Sequence, residues 1–211
     1  MKVTEIFHSI QGESSFAGRP CVFVRLTACD LRCRWCDTEY AFFEGKNHEL
    51  EDLVARVKSF DCPLVEITGG EPLLQKETPE LCQRLLDEGL EVMMETGGHR
   101  DISVLPKAVK VIMDLKCPGS GESHQNRWEN LDHLQPSGEI KFVIADREDY
   151  EWAKDVVQRK QLASRHAVLF SPVHDELAYD VLAGWILEDK LTVRFQTQLH
   201  KQIWPAVSRG V

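Results

Sequence analysis

The chain has no apolar run approaching membrane-spanning length, no cluster of Lys and Arg, and no low-complexity tract among its 211 residues. A helix needs about 20 apolar residues in a row to cross a bilayer, so the first absence argues against a membrane partner. The second argues against nucleic acid: with a formal net charge of −9, nothing basic is concentrated enough to follow a phosphate backbone. The third leaves no segment expected to be disordered over a long span. The first residues, Met1-Lys-Val-Thr-Glu-Ile-Phe-His8, lack the apolar core of a signal peptide, so a cytoplasmic location is expected. None of the eight histidines falls in an H-x-x-H or H-E-x-x-H pair, and a zinc hydrolase is therefore unsupported.

What is present is an ordinary globular balance, 43% hydrophobic and 28% charged, in a length suited to one domain over residues 1–211. Seven cysteines in a chain expected in the cytosol point to metal ligation or packing, not to a disulfide framework. Cys21, Cys62 and Cys82 fall in or beside predicted strands and helices and read as packed thiols, whereas Cys117 lies in a Gly/Ser-rich loop and is a functional candidate. The other three form Cys29-x3-Cys33-x2-Cys36 directly after the apolar run Val22–Leu26. Thiolates suit iron–sulfur clusters, which normally take four, so three in one loop leave one iron open. Zinc with a distant fourth ligand, or three buried thiols without metal, are the competing readings.

The apolar pattern predicts strands at Lys2–Gln11, Cys21–Leu26, Leu64–Thr68, Glu91–Thr96, Val109–Asp114, Ile140–Ile144, Ala167–Phe170 and Thr192–Gln196. Helices are expected at about 49–60, from an N-cap at Thr78 to a stop at Gly89, at about 148–161 behind Asp146, and at about 175–188. Such alternation implies an α/β fold. We expect a partial (β/α) barrel of about six βα units with a short N-terminal strand extension, because a full barrel takes eight units and typically about 250 residues. Cys29–Cys36, Gly69–Glu71, Glu95–Gly98, Asp114–Gly121 and Ser171-Pro172 all follow strands, which gathers them at the face where ligands bind. Arg25 sits inside an apolar strand and needs a partner, either a protein carboxylate or an anionic substrate. Gly69-Gly70 after a strand is by itself a tight turn or a close backbone approach to a ligand.

The cysteine spacing, Trp35 before the third cysteine, and Thr68-Gly-Gly-Glu-Pro72 resemble the cluster loop and the cofactor loop of the radical S-adenosylmethionine (SAM) superfamily. In that superfamily the open iron chelates SAM. Gln11-Gly12-Glu13, Arg25, Cys36-Asp37-Thr38-Glu39-Tyr40, Glu95-Thr96, Asp114-Leu-Lys-Cys-Pro118 and Gln198-Leu-His-Lys201 follow in the order found in 7-carboxy-7-deazaguanine synthases, and the resemblance spans nearly the whole chain.

The resemblance implies a 4Fe–4S cluster on Cys29, Cys33 and Cys36, with SAM along Trp35, Cys36, Asp37, Gly70, Thr96, Lys116, Cys117 and Pro118. It implies Mg²⁺ on Thr38, an ion that takes few protein ligands and completes its shell with water and substrate oxygens. Ile10, Gln11, Gly12, Glu13, Arg25, Thr68 and Val211 become the expected contacts of a carboxylated pterin, Glu13 accepting from the ring edge and Arg25 gripping the carboxylate. His200 is a further neighbour to watch. The implied reaction contracts 6-carboxytetrahydropterin to 7-carboxy-7-deazaguanine with loss of ammonia, on the route to queuosine. A flavodoxin-like electron donor and a homodimer are the expected partners, the dimer covering open sheet edges. Ser14 and Gly97 depart from the family's common forms, where glycine and asparagine often stand. The alternatives are another small radical SAM enzyme, such as a glycyl-radical activase, and a non-enzymatic metal protein.

Overall fold

The computed structural model describes residues 1–205 and 209–211. Nine strands form one sheet: β1 (Lys2–Ile10), β2 (Pro20–Leu26), β3 (Lys46–Asn47), β4 (Leu64–Gly69), β5 (Glu91–Thr96), β6 (Lys110–Asp114), β7 (Glu139–Ile144), β8 (Ala167–Pro172) and β9 (Arg194–Phe195). Their spatial order is β3-β1-β2-β4-β5-β6-β7-β8-β9, parallel from β2 to β9, with β1 antiparallel to both neighbours. The sheet does not close, and the result is the expected partial barrel with an N-terminal strand extension. Both edges end in strands of only two residues, which offer little backbone to a foreign strand.

Helices α1 (Leu50–Lys58), α2 (Thr78–Asp87), α4 (Arg147–Arg159) and α5 (Tyr179–Glu188) cover the convex face; α3 (Asn130–His133) and α6 (Leu199–Ile203) are short. The β5–β6 crossover has only a 3₁₀ turn at Ile102–Val104. Two helix starts differ from expectation. Thr78 is not a cap; its hydroxyl donates to the Pro72 carbonyl at 2.6 Å, and Glu77 holds the cap position. Helix α5 begins at Tyr179 instead of Asp175, because Asp175 adopts a positive φ of 62° and belongs to the preceding turn. Asp146 does cap α4, accepting from the Asp149 N–H at 3.0 Å.

The period-2 alternation of the strands sorts the core. Val24, Leu26, Ile67, Met94, Met113, Phe142 and Phe170 point outward to Leu53, Leu81, Leu85, Tyr150 and Leu182 of the helices. The inward positions fall into two layers. The lower layer is apolar, with Cys21, Phe23, Leu64, Met93 and Ile112 packed together and closed by Phe7 and Phe16. One step toward the strands' carboxyl ends the inward residues become Arg25, Glu66, Thr68, Glu95, Asp114 and Lys141, all lining a cavity. Charge inside a barrel is costly unless paired, so this change of character marks a site. No helix of the described residues is long and apolar enough to cross a membrane.

Candidate active site

The cavity is about 650 Å³ and opens at the carboxyl ends of the parallel strands. Its wall on one side is the loop after β2. Leu26 and Ala28 anchor this loop to the glycine turn after β4: Gly70 N–H donates to the Leu26 carbonyl at 3.1 Å and Glu71 N–H to the Ala28 carbonyl at 2.7 Å. That contact requires glycine. A Cβ on Gly70 would lie 2.1 Å from the Ala28 oxygen, and Gly69 combines a φ of 148° with equally little room against Leu26. The loop's far end is tied to the segment after β6, where Arg34 N–H donates to the Ser120 carbonyl and Arg32 N–H to the Glu122 carboxylate.

Cys29, Cys33 and Cys36 are free and half-buried on this loop; Cys29 and Cys36 face the cavity. Burial pushes the Cys29 thiol up to about 11 and raises Cys33 as well, so both are neutral until a metal displaces their protons. Among the described residues no three His, Cys, Asp or Glu side chains converge on one point, as a single-ion site would ask. A cluster asks less, since each thiolate binds its own iron. Three soft donors on a tethered loop beside an open cavity fit that group.

Glu71 is buried and fully engaged within the fold. Its carboxylate accepts from the Leu73 N–H at 3.0 Å, the Thr96 hydroxyl at 2.9 and 3.0 Å, and the Gly97 N–H at 2.8 Å. It therefore braces the turn after β5 against the turn after β4.

The floor is ionic. Glu13 accepts from Lys141 at 3.0 Å, Gln196 at 3.1 Å and Gln198 at 3.0 Å; Lys141 also contacts Glu95, and Lys116 pairs with Asp114 at 2.8 Å. Burial favours a neutral Glu13, but Lys141 and Gln198 outweigh it and hold the carboxyl below its ordinary range. Glu66 forms no direct ion pair among the described residues, and the more distant Lys141 offsets its burial only in part. Burial, reinforced by Glu95 and Glu13, pushes its carboxyl up to about 8, and its one hydrogen bond comes from Gln11. Arg25 donates through Nε to Glu5 at 2.7 Å, and the Tyr40 hydroxyl donates to the same Glu5 oxygen at 2.7 Å. Neither terminal nitrogen of Arg25 has a protein acceptor among the described residues, and the residue lines the cavity.

The sequence matches the radical SAM superfamily model over residues 24–159. It is 46% identical to the 7-carboxy-7-deazaguanine synthase of Koribacter versatilis, with all of both chains covered. It is 44% identical to that of Chlorobaculum tepidum, covering all of this chain and 97% of the relative. The chain belongs to the 7-carboxy-7-deazaguanine synthase family. Its fold matches the crystal structure of QueE from Escherichia coli with a TM-score of 0.79 at 22% identity, covering 94% of each chain. The chain is thus a radical SAM enzyme, a lyase of a class that carries a 4Fe–4S cluster and uses SAM.

In this synthase-family chain the cavity gathers most of the residues singled out in the sequence. Ile10, Gln11, Gly12, Glu13, Arg25, Trp35, Asp37, Thr38, Thr68, Gly70, Thr96, Lys116 and Val211 all line it. Cys117 and Pro118 do not. Cys117 is fully buried in the outer core, and Pro118 opens a 3₁₀ turn beside it. Thr96 reaches the cavity with its hydroxyl already given to Glu71. The Thr38 hydroxyl lies 3.8 Å from the Cys36 sulfur. His200 packs its ring on Gly12, where a Cβ would lie 2.1 Å from Nδ1. The residues missed in the sequence are Glu5 and Tyr40 behind Arg25, and Glu66, Lys141 and Gln196 on the floor. A lysine within the apolar run Ile140–Ile144 was the one available signal.

Proposed function

We propose that this protein converts 6-carboxy-5,6,7,8-tetrahydropterin to 7-carboxy-7-deazaguanine, with loss of ammonia and dependence on Mg²⁺, in 7-deazapurine and queuosine biosynthesis. The observation that carries the reading is that Arg25 and Glu13 face the same cavity as Cys29 and Cys36. A small acid with an N–H-bearing ring edge matches both groups.

Cys29, Cys33 and Cys36 would hold the cluster, and Trp35, Asp37, Gly70, Thr96 and Lys116 would hold SAM, with Cys117 and Pro118 contributing only backbone. When bound and reduced, these groups supply the radical that starts the reaction. The protein's part is recognition and orientation. Arg25, fixed by Glu5, offers its two terminal nitrogens as a fork for the substrate carboxylate. Glu13 offers its remaining acceptor capacity to the ring, while Ile10, Gln11, Gly12, Thr68 and Val211 shape the pocket. Thr38 would offer its hydroxyl to Mg²⁺, an ion that would supply positive charge for the substrate's carboxylate. A flavodoxin-like protein as electron donor, a homodimer and a cytoplasmic setting complete the reading. A glycyl-radical activase would need a polypeptide groove, and the paired acid-and-arginine floor favours a small substrate instead.

The test is turnover by anaerobically reconstituted, reduced protein with SAM and 6-carboxytetrahydropterin, read by mass spectrometry. 7-Carboxy-7-deazaguanine should form only with both present. Its absence from a protein that holds its iron and sulfide would sink the reading.

A further inference from the structure

The cavity floor carries more charge than substrate recognition by Glu13 and Arg25 requires. The acids Glu13, Glu66, Glu95 and Asp114 gather there with the ammonium groups of Lys116 and Lys141, in a cavity whose wider lining adds Asp37, Glu71, Glu176 and Lys201. Lys116 is committed to Asp114. Lys141 is only 7% exposed and lies 3.0 Å from Glu13 and in contact with Glu95, with Asp114 at 4.0 Å. Two of its N–H groups thus donate to acids on the loop after β1 and on β5, and a third acid, on β6, stands at ion-pair distance. Its hydrogen bonds are made to protein acids. Glu95, by contrast, accepts only from Lys141 among the described residues, and through one oxygen. Its other oxygen is free to accept.

We propose that Lys141 is a positioning residue for substrate recognition: by bridging Glu13 and Glu95 it orients both as acceptors for the N–H edge of the bound ring and favours their ionised forms. The inference rests on the pterin reading given above. Without Lys141, two like charges would share the floor, and one carboxyl would take up a proton. A protonated carboxyl presents an O–H where the ring presents N–H, so an acceptor would become a donor facing donors. The ammonium's compact, rotatable donors suit two acids on separate elements, with a third nearby, better than a planar guanidinium would.

The experiment measures binding of pterin-6-carboxylate and the KM for 6-carboxytetrahydropterin in cluster-loaded Lys141→Met, Lys141→Gln and Lys141→Arg proteins, alongside SAM affinity measured without pterin. Lys141→Met should weaken pterin binding by roughly thirtyfold or more, the low end of the loss expected when one partner of a buried ion pair is removed. SAM affinity should stay at the wild-type value. Lys141→Gln keeps an N–H donor without the charge and should behave like Lys141→Met; it carries the test if the Met variant does not fold. Lys141→Arg should recover part of the affinity. Unchanged pterin affinity in a folded Met or Gln variant would overturn the inference, as would an equal loss of SAM affinity. If the wild type itself neither binds the pterin nor turns over, the functional reading falls and takes the inference with it. If the wild type turns over and the Lys141 variants match it, only the role of Lys141 falls.

Discussion

Arg25 shows how one side chain meets two demands. Its Nε is spent on Glu5, which answers the cost of a guanidinium inside the barrel, and its terminal nitrogens remain for a ligand. The two partners weighed for it in the sequence, a protein acid and a substrate acid, are therefore not exclusive. Arg25→Ala is expected to raise KM for the carboxylated pterin by an amount worth about 2–5 kcal/mol, leaving slow SAM cleavage intact. Glu5→Gln keeps a hydrogen-bond acceptor but loses the charge, and should give a smaller rise in the same direction. Thr38→Ala should abolish Mg²⁺ stimulation of turnover without loss of iron; full Mg²⁺ dependence in that variant would show that the ion sits elsewhere. Arg25 and the cysteines were legible because their types are conspicuous in an apolar context. Lys141 was not, since its meaning depends on acids brought from three distant elements. Cys117 misled because a Gly/Ser-rich loop suggests exposure, whereas here the loop folds back and buries the thiol in the outer core.

At the scale of elements, the site is held by the joint between the cysteine loop and the glycine turn after β4. Gly70→Ala would drive a Cβ against the Ala28 carbonyl, which is backbone and cannot swing aside. The expected outcome is loss of SAM binding together with poor retention of iron, measured by equilibrium binding and by iron and sulfide analysis; normal values for both would show that the joint tolerates displacement. Most strands were readable in advance, because parallel strands buried on both faces appear as continuous apolar runs. The two-residue strands β3 and β9 were not fully readable, as so short a pairing leaves no periodicity. Thr78 was misread as a cap because Thr-Pro is a common helix start, and the competing acceptor, the Pro72 carbonyl, lies in the preceding turn.

Across the whole molecule, the buried floor links protonation to stability. Glu66 is protonated in the folded protein up to about pH 8, but ionises near its usual value of 4.5 once unfolded. The folded state thus binds the extra proton, and stability contributed by Glu66 should fall as pH rises through that window. Chemical denaturation below and above the window should show the loss, and Glu66→Gln should flatten it; a wild-type stability that rises with pH across the same range would contradict this. The open barrel serves the same end as the floor. It leaves a cavity in which, on the proposed function, a radical source on one wall meets an acid-recognising floor. The most direct measurement of that claim uses 6-carboxytetrahydropterin deuterated at the carbon bearing the carboxylate, with mass spectrometry of the nucleoside recovered from SAM. Deuterium is expected at the 5′ carbon of the recovered deoxyadenosyl group, with 7-carboxy-7-deazaguanine as product. Product without label transfer, or SAM cleavage that ignores the pterin, would contradict it.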